Sequence, residues 1–229
     1  RFKFLSQMML EAVALNNQRL DDKKLKIYSQ GLDYTEANGK SVLKLNGHRL
    51  VSGCAWWDPA FGKVGGDKSV VACVFSDENG FHYIHQLLYL TVPENEEATS
   101  YQCQKVVQFL KELMLPAIHL ETNGIGRFLP ALLRQELSRQ RLAVAVLEET
   151  ARQNKTERIL GAIEPPLLNG NLYAHESVLK TPFIYEMQDF NTSGNTHDDG
   201  LDAVAGCLLS EPVRLKTLPF FYKQRPLWR

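Results

Sequence analysis

The sequence predicts an α/β fold, a mixed sheet in which an antiparallel three-strand meander is extended by parallel strands and flanked by helices. Three apolar runs, at residues 50–57, 69–75 and 81–90, have the β-branched and aromatic content of buried strands and are joined by short turns. Downstream, strand-like and helix-like segments alternate, a pattern typical of strands added in parallel. We therefore expect the antiparallel unit first and the parallel strands after it.

The first strand of the meander ends in a carboxylate. Trp57 is followed by Asp58 and Pro59, and a proline lacks the backbone N–H that a central strand would use. Asp58 is therefore expected near a strand end. Because Asp is common in turns, this residue taken alone is equally consistent with a simple turn before a proline.

The other segments are assigned from apolar periodicity, helix caps and turn residues. Pro93 is expected to open a helix, and the Pro165-Pro166 pair is expected to stop one. In chain order the predicted elements are an apolar helix at 2–20, a hairpin at 43–50, a helix at 93–114, a strand at 117–121, a helix at 127–139, a strand at 142–148, a helix from 154 to the prolines, a hairpin at 167–173, a helix at 176–190, a loop at 191–195 and a helix at 197–209.

Composition excludes several classes of protein. The 229 residues carry 26 basic and 26 acidic side chains, so the zero net charge argues against nucleic-acid binding by bulk electrostatics. No apolar segment approaches the roughly 20 residues that a membrane helix needs. The four cysteines form no C-x-x-C pair, which favours buried thiols in a reducing cytosol over a zinc site. Since the chain does not begin with Met, we expect it to be a piece of a longer protein.

Acidic residues open the last predicted helix. Asp198 and Asp199 suit a helix cap and first turn, where negative charge is favoured. Asp202 needs another explanation, because it lies three residues after Asp199, on the same face of a helix whose other residues are small or apolar. Two like charges on a buried face are costly unless a cation is present. Together with Asp58 and Glu121, these acids predict an oxygen-rich site for two hard divalent ions about 4 Å apart.

Several motifs, in this order and spacing, resemble the nuclease domain of the large terminase subunit of tailed bacteriophages, a member of the ribonuclease H-like superfamily. The resemblance covers about residues 50 to 210. The motifs are Trp56-Trp57-Asp58-Pro59-Ala60 followed by Gly65-Gly66-Asp67-Lys68-Ser69, Leu120-Glu121-Thr122-Asn123-Gly124, Lys155-Thr156-Glu157-Arg158-Ile159 ahead of an Asn-Gly turn, and His197-Asp198-Asp199-Gly200-Leu201-Asp202-Ala203.

The resemblance implies a catalytic metal site. Asp58, Glu121 and Asp199 would be ligands of two Mg²⁺ or Mn²⁺ ions, with Asp58 bridging them, and Asp202 would be a fourth catalytic acid and metal ligand, as in junction resolvases of this fold. Basic residues near these acids in sequence are candidate contacts to DNA phosphates, which position a duplex without reading its sequence. These candidates are Lys155, Arg158, Arg127 and Arg152.

The resemblance also implies a context. Residues 1–49 would be a linker helix and hairpin leading from a missing N-terminal ATPase domain, residues 50–212 the ribonuclease H-like nuclease domain, and residues 213–229 a basic, aromatic tail. The implied function is endonucleolytic cleavage of double-stranded concatemeric viral DNA during genome packaging in the host cytoplasm, outside the mature virion. The implied partners are DNA, the ATPase domain, the portal protein and the small terminase subunit, with no membrane.

Two alternatives stay open. A junction resolvase or transposase-like strand transferase on the same fold would prefer branched or end-specific DNA. A non-enzymatic docking module of the packaging machine, in which the acids are only caps and solvated turns, would bind no metal. Fold alone does not separate them, because function depends on the site.

Overall fold

The computed structural model describes residues 19–37, 40–45, 47–61, 68–122, 128–150, 154–190, 197–210, 213 and 215. Most of the predicted helix at 2–20, the loop at 191–195, most of the tail, Arg127 and Arg152 lie outside these ranges. The strands are β1 (Lys26–Tyr28), β2 (Asp33–Ala37), β3 (Lys40–Leu45), β4 (His48–Asp58), β5 (Ser69–Asp77), β6 (His82–Leu90), β7 (Ala117–Glu121), β8 (Ala145–Glu149) and β9 (Leu172–His175). The α-helices are α1 (Ala98–Glu112), α2 (Leu129–Arg139), α3 (Lys155–Leu168), α4 (Phe183–Asp189) and α5 (Asp199–Leu209), with 3-10 turns at Asp22–Lys24 and Val178–Lys180.

The strands form one mixed sheet, which confirms the predicted fold class. β4, β5 and β6 are the antiparallel meander, and β9 and β1 follow β6 in parallel. On the other side, β7 pairs in parallel with β4, and β8 pairs in parallel with β7. β3 and β2 extend from the beginning of β4 as antiparallel strands, so the predicted hairpin at 43–50 is confirmed. The described part of residues 1–49 thus adds strands to this sheet, and the three-part division of the chain stays a prediction.

Helices cover both faces of the sheet, which explains why the central strands are apolar at consecutive positions. Ala55 and Trp57 face α1 and α2, whereas Cys54 and Trp56 face α3, α4 and α5. All four cysteines are buried thiols, as predicted. Within the described ranges, no helix combines the length and apolar character needed to cross a membrane.

The predicted hairpin at 167–173 and the helix stop at the proline pair are wrong. α3 runs through Pro165 and Pro166 to Leu168 although each proline lacks the N–H of a helical hydrogen bond, and the buried Leu167 anchors the end of the helix. Gly170, with a φ of +68°, then closes the helix: its N–H donates to the Leu167 carbonyl over 3.2 Å. The chain continues as the single strand β9, parallel to β6, rather than folding back on itself.

Two predicted helices have different bounds. The helix predicted at 176–190 is a 3-10 turn followed by α4, because Thr181 is extended before Pro182, as residues before proline tend to be. The helix predicted to open at Pro93 begins at Ala98. Its N-terminus is fixed by the Glu97 carboxylate, which accepts hydrogen bonds from the N–H groups of Thr99 (3.0 Å) and Ser100 (2.6 Å).

Candidate active site

Asp58 and Glu121 are the last residues of two neighbouring parallel strands. The register pairs Trp57 with Leu120, so Asp58 and Glu121 follow side by side at the same edge of the sheet. Side chains alternate between the faces of a strand, which puts both carboxylates on the face of Trp56 and His119. The Trp56 and His119 rings stack on that face with centroids 5.9 Å apart and an interplanar angle of 12°. The two strand-end acids therefore face the layer that contains α5.

Helix α5 brings Asp199 and Asp202 to this edge of the sheet. Both side chains are buried, and α5 packs against β4 and β5. Gly206 permits a close approach, because a Cβ atom at this position would lie 2.2 Å from Cδ2 of Trp56. The N–H of Lys68, just before β5, donates to Oδ2 of Asp199 over 2.9 Å. The small residues that predicted a packed face thus allow α5 to lie directly on the strand that carries Asp58.

The first turn of α5 is anchored by a residue from another helix. Asp198 is the N-cap residue, but its side chain makes no capping hydrogen bond, contrary to the usual role of an acid at this position. Instead, Oε2 of Glu186 accepts hydrogen bonds from the N–H groups of Gly200 (2.9 Å) and Leu201 (3.1 Å). Oε1 of Glu186 accepts a third bond, 2.9 Å long, from the Tyr89 hydroxyl. Burial raises the pKa of the Glu186 carboxyl to about 7.

Two cations from α3 enter the carboxylate cluster. Nζ of Lys155 lies 2.6 Å from Oδ1 of Asp198 and 3.7 Å from the nearest carboxylate oxygens of Asp199 and Asp202. The guanidinium of Arg158 donates to both oxygens of Asp202, at 2.6 and 2.7 Å, and lies 3.5 Å from Oε2 of Glu121. Arg158 therefore links α3, β7 and α5 at one point.

The cluster carries more negative than positive charge. Burial raises the pKa of Asp58 well above its usual value, and the neighbouring carboxylates of Asp202 and Glu121 raise it further. Burial also raises the pKa of Asp202, although Lys155 and Arg158 oppose that shift. The Lys155 pKa is raised as well: burial alone would lower it, but the contact with Asp198 and the other acids outweighs burial. Five carboxylates thus surround two cations: Asp58, Glu121, Asp198, Asp199 and Asp202 around Lys155 and Arg158.

The four predicted catalytic acids are thus brought together at one end of the sheet. As they stand, no three His, Cys, Asp or Glu side chains among the described residues are arranged to hold a metal ion. The all-oxygen donor set is nevertheless the kind that Mg²⁺ and Mn²⁺ take, and the raised Asp58 pKa marks an unmet need for positive charge. The carboxylate oxygens at this site are therefore suited to bind a hard divalent ion. Lys155 and Arg158 supply part of the positive charge that the acids require.

The predicted DNA contacts fall into different places. Lys155 is 41% exposed in its side chain and lies at the mouth of the cluster, whereas the Arg158 side chain is only 10% exposed and faces the acids.

Sequence reasoning missed Glu186 and Tyr89 altogether. No spacing rule connects a glutamate in α4 or a tyrosine in β6 with the N-terminus of α5. Because Asp198 and Asp199 suit a cap themselves, the sequence contained no sign of a distant capping partner.

Comparison with known proteins places this arrangement in a family. Residues 55–211, more than half of the chain, match the family model described as the terminase RNaseH-like domain. This chain belongs to that family. The resemblance drawn from the sequence motifs is thereby confirmed, and the matched range contains all four predicted catalytic acids. No protein of curated function matches the chain by sequence.

Solved structures agree with the fold assignment. The nuclease domain of the large terminase subunit gp2 of bacterial virus Sf6 superposes with a TM-score of 0.52 at 10% identity, covering 70% of this chain and 89% of that one. A point mutant of the same Sf6 domain, gp2c, solved with calcium, gives a TM-score of 0.52 at 11% identity over the same shares. The yeast mitochondrial Holliday junction resolvase Ydc2 is less similar, with a TM-score of 0.44 at 13% identity over 66% of this chain and 74% of the resolvase.

Proposed function

We propose that this terminase-family domain is a metal-dependent endonuclease that cuts double-stranded, concatemeric viral DNA during genome packaging. The observation that carries the proposal is the convergence of four carboxylates from two neighbouring strand ends and one helix, with an excess of negative charge at their centre. Structural capping does not account for this arrangement, because the Asp198 side chain makes no capping hydrogen bond and Asp202 lies on the buried face of α5.

The ligands in this proposal are Asp58, Glu121 and Asp199, with Asp202 as a fourth acid beside them. When bound, two Mg²⁺ or Mn²⁺ ions would make water a stronger nucleophile and stabilise the leaving 3′ oxygen of the phosphodiester. Asp58 is the acid for which a bound cation would matter most, because burial and the nearby charges of Asp202, Glu121 and Asp199 all raise its pKa.

The chain's own cations have separate roles in the proposal. Arg158 holds Asp202 through both carboxylate oxygens and keeps it next to Glu121, so it orients ligands rather than contacting DNA. Lys155 is partly exposed at the mouth of the cluster, where its ammonium can face a DNA phosphate. The zero net charge of the protein supports weak DNA binding by the domain alone. We therefore propose that the ATPase domain, portal protein and small terminase subunit deliver the DNA in the host cytoplasm.

Plasmid cleavage tests the proposal. Supercoiled DNA is incubated with the domain and Mg²⁺, Mn²⁺ or EDTA, beside the variants Asp58→Asn and Asp199→Asn. A matched control is Asp33→Asn, the same substitution at an exposed position at the start of β2, far along the sheet from the cluster. We expect metal-dependent nicking and linearisation by the wild type and the control, and neither by the two site variants.

The same assay separates the alternatives. Cleavage of four-way junctions in strong preference to linear duplex would replace the packaging nuclease with a junction resolvase. A wild type that is inert with every ion, or site variants that cut as well as the wild type, would refute the nuclease assignment and leave a docking module.

A further inference from the structure

The first turn of α5 has an unusual source of capping. In most helices the N-cap side chain satisfies the exposed N–H groups of the first turn. Here the N-cap Asp198 has its carboxylate on Lys155, 2.6 Å away, and makes no capping bond. The N–H groups of Gly200 and Leu201 donate instead to Glu186, which reaches them from α4. Capping and cation binding are thus divided between two acids.

The contact between Glu186 and α5 is close and buried. Glu186 is 5% exposed, and its second oxygen accepts a hydrogen bond from Tyr89 of β6. A Cβ atom at Gly200 would lie 1.9 Å from the Tyr89 hydroxyl oxygen and 2.7 Å from Oε2 of Glu186. The tyrosine and the glutamate therefore pack directly on the helix backbone, in space that only glycine leaves open. The sheet and α4 together fix where α5 begins.

A buried carboxylate is an expensive way to cap a helix. Serine, threonine or asparagine at the N-cap satisfies the same N–H groups without burying a charge beside Asp199. Capping by Glu186 differs in that it connects α5 to two other elements, β6 and α4, at the residues next to Asp199. That connection restrains the backbone next to Asp199, while the Lys68 N–H restrains the Asp199 carboxylate directly.

We propose that Glu186 and Tyr89 are positioning residues for the carboxylate cluster: they anchor the first turn of α5 so that Asp199 keeps the position from which it can bind a metal ion. The inference rests on the proposed metal-dependent function for its consequence, but the anchor itself is measurable without catalysis. The hydrogen bonds of Glu186 go to the backbone of α5 and to Tyr89, and Asp199 also lies near enough to raise the pKa of both side chains. Tyr89→Phe removes no charged group, so it separates anchoring of the helix from a direct electrostatic effect on the metal.

The test uses Glu186→Gln and Tyr89→Phe. Glutamine has one acceptor oxygen in place of two, so it can accept from both helix N–H groups only if its NH2 group turns to the Tyr89 hydroxyl, which must then accept a hydrogen bond instead of donating one. The amide oxygen is also uncharged, so its bonds to the first turn of α5 are weaker than those of the carboxylate. Phenylalanine removes only the hydroxyl group and keeps the ring. The matched control is Glu97→Gln, the same substitution in a glutamate that caps α1, a helix without any of the cluster acids.

Three quantities are measured: Mn²⁺ affinity by calorimetry, amide hydrogen exchange at Gly200 and Leu201, and the Mg²⁺ dependence of plasmid cleavage. We expect Glu186→Gln to weaken Mn²⁺ binding roughly tenfold, as substitutions behind metal ligands commonly do. It should raise the Mg²⁺ concentration for half-maximal cleavage by the same factor, leave the KM for DNA unchanged and accelerate exchange at both amides. Tyr89→Phe should act in the same direction with a smaller effect, and Glu97→Gln should change none of these values.

The outcomes separate this inference from the nuclease proposal. If the wild type cleaves DNA and both variants keep its metal affinity and amide exchange, the positioning role is refuted while the nuclease stands. If the wild type binds Mn²⁺ without cleaving DNA and Glu186→Gln weakens that binding, the nuclease is refuted and the positioning role stands. If the wild type neither binds Mn²⁺ nor cleaves, both are refuted.

Discussion

The substitution Gly206→Ala tests whether the close packing of α5 on β4 sets the geometry of the site. The added Cβ would lie 2.2 Å from Cδ2, 2.4 Å from Cε2 and 2.7 Å from Cγ of Trp56. Carbon atoms rest at about 3.5 Å, so the helix and the indole must separate by roughly 1.3 Å. Trp56 has little room to retreat, because it is buried and its ring stacks on His119. The helix must therefore move, and Asp199 and Asp202 move with it.

Two magnitudes follow from that displacement. Overpacking of a core typically costs about 1–3 kcal/mol in the free energy of unfolding, so the variant should fold but unfold at lower temperature. A misplacement of about 1 Å in a catalytic group can cost on the order of 100-fold in rate. We therefore expect Gly206→Ala to lower metal-dependent plasmid cleavage roughly 100-fold at saturating metal, measured beside thermal unfolding.

The matched control for this experiment is Gly161→Ala in α3. Gly161 is also inside a helix, but a Cβ there meets nothing within 4 Å. Because alanine is the better helix former, the control should gain roughly 0.5–1 kcal/mol of stability and keep full activity. Wild-type cleavage and wild-type stability in Gly206→Ala would refute the argument that the glycine permits the contact on which the site depends.

Three further predictions concern charge. Asp58→Asn should have a higher melting temperature than the wild type in EDTA but not with Mn²⁺. Burial and the neighbouring acids raise the Asp58 pKa, so its ionised form is costly unless a cation is bound. A lower melting temperature of the variant in EDTA would contradict this. Arg158→Met should lower the free energy of unfolding by about 3 kcal/mol, because the buried Asp202 would lose both its hydrogen bonds to Arg158 and keep only the Lys155 ammonium, 3.7 Å away. Asp202→Asn in the same chain should restore part of this loss in urea unfolding. Burial, aided by His175, lowers the pKa of His85 from 6.5 to about 4, so the folded state binds fewer protons than the unfolded state in this range. The free energy of unfolding of the wild type, measured relative to that of His85→Gln, should therefore fall by up to about 3 kcal/mol between pH 6.5 and pH 4. If urea unfolding gives the same difference between the two proteins at every pH, this prediction is wrong.

The strand-end acids could be predicted from the sequence because their positions depend on local rules. A proline after Asp58 ends the strand, and alternation along β4 and β7 determines which face each side chain takes. The small and apolar residues of α5 likewise predicted a helix packed against the sheet. These inferences need only neighbours in sequence.

Other features could not be predicted because they depend on contacts between distant residues. Propensity rules for proline predicted the end of α3 too early, whereas the burial of Leu167 keeps its last turn helical. The sequence made Lys155 a candidate contact to DNA phosphates, and its contacts with Asp198, Asp199 and Asp202 at the start of α5 arise only when α3 packs on α5. The Glu186 anchor is of the same kind, because it joins residues 14 positions apart through the fold and not through a helical repeat.

Among the contacts that hold α5 in place, three fix different degrees of freedom. The Gly206 contact with Trp56 sets the height of the helix above the sheet, and Glu186 sets where its first turn begins. Arg158 holds Asp202 beside Glu121 and so limits rotation about the helix axis. Because all three act on one rigid element, their losses are not independent: once Gly206→Ala has displaced the helix, Glu186→Gln has less correct geometry left to lose. The double variant should therefore lose less activity than the product of the two single losses, whereas independent contacts would give the full product.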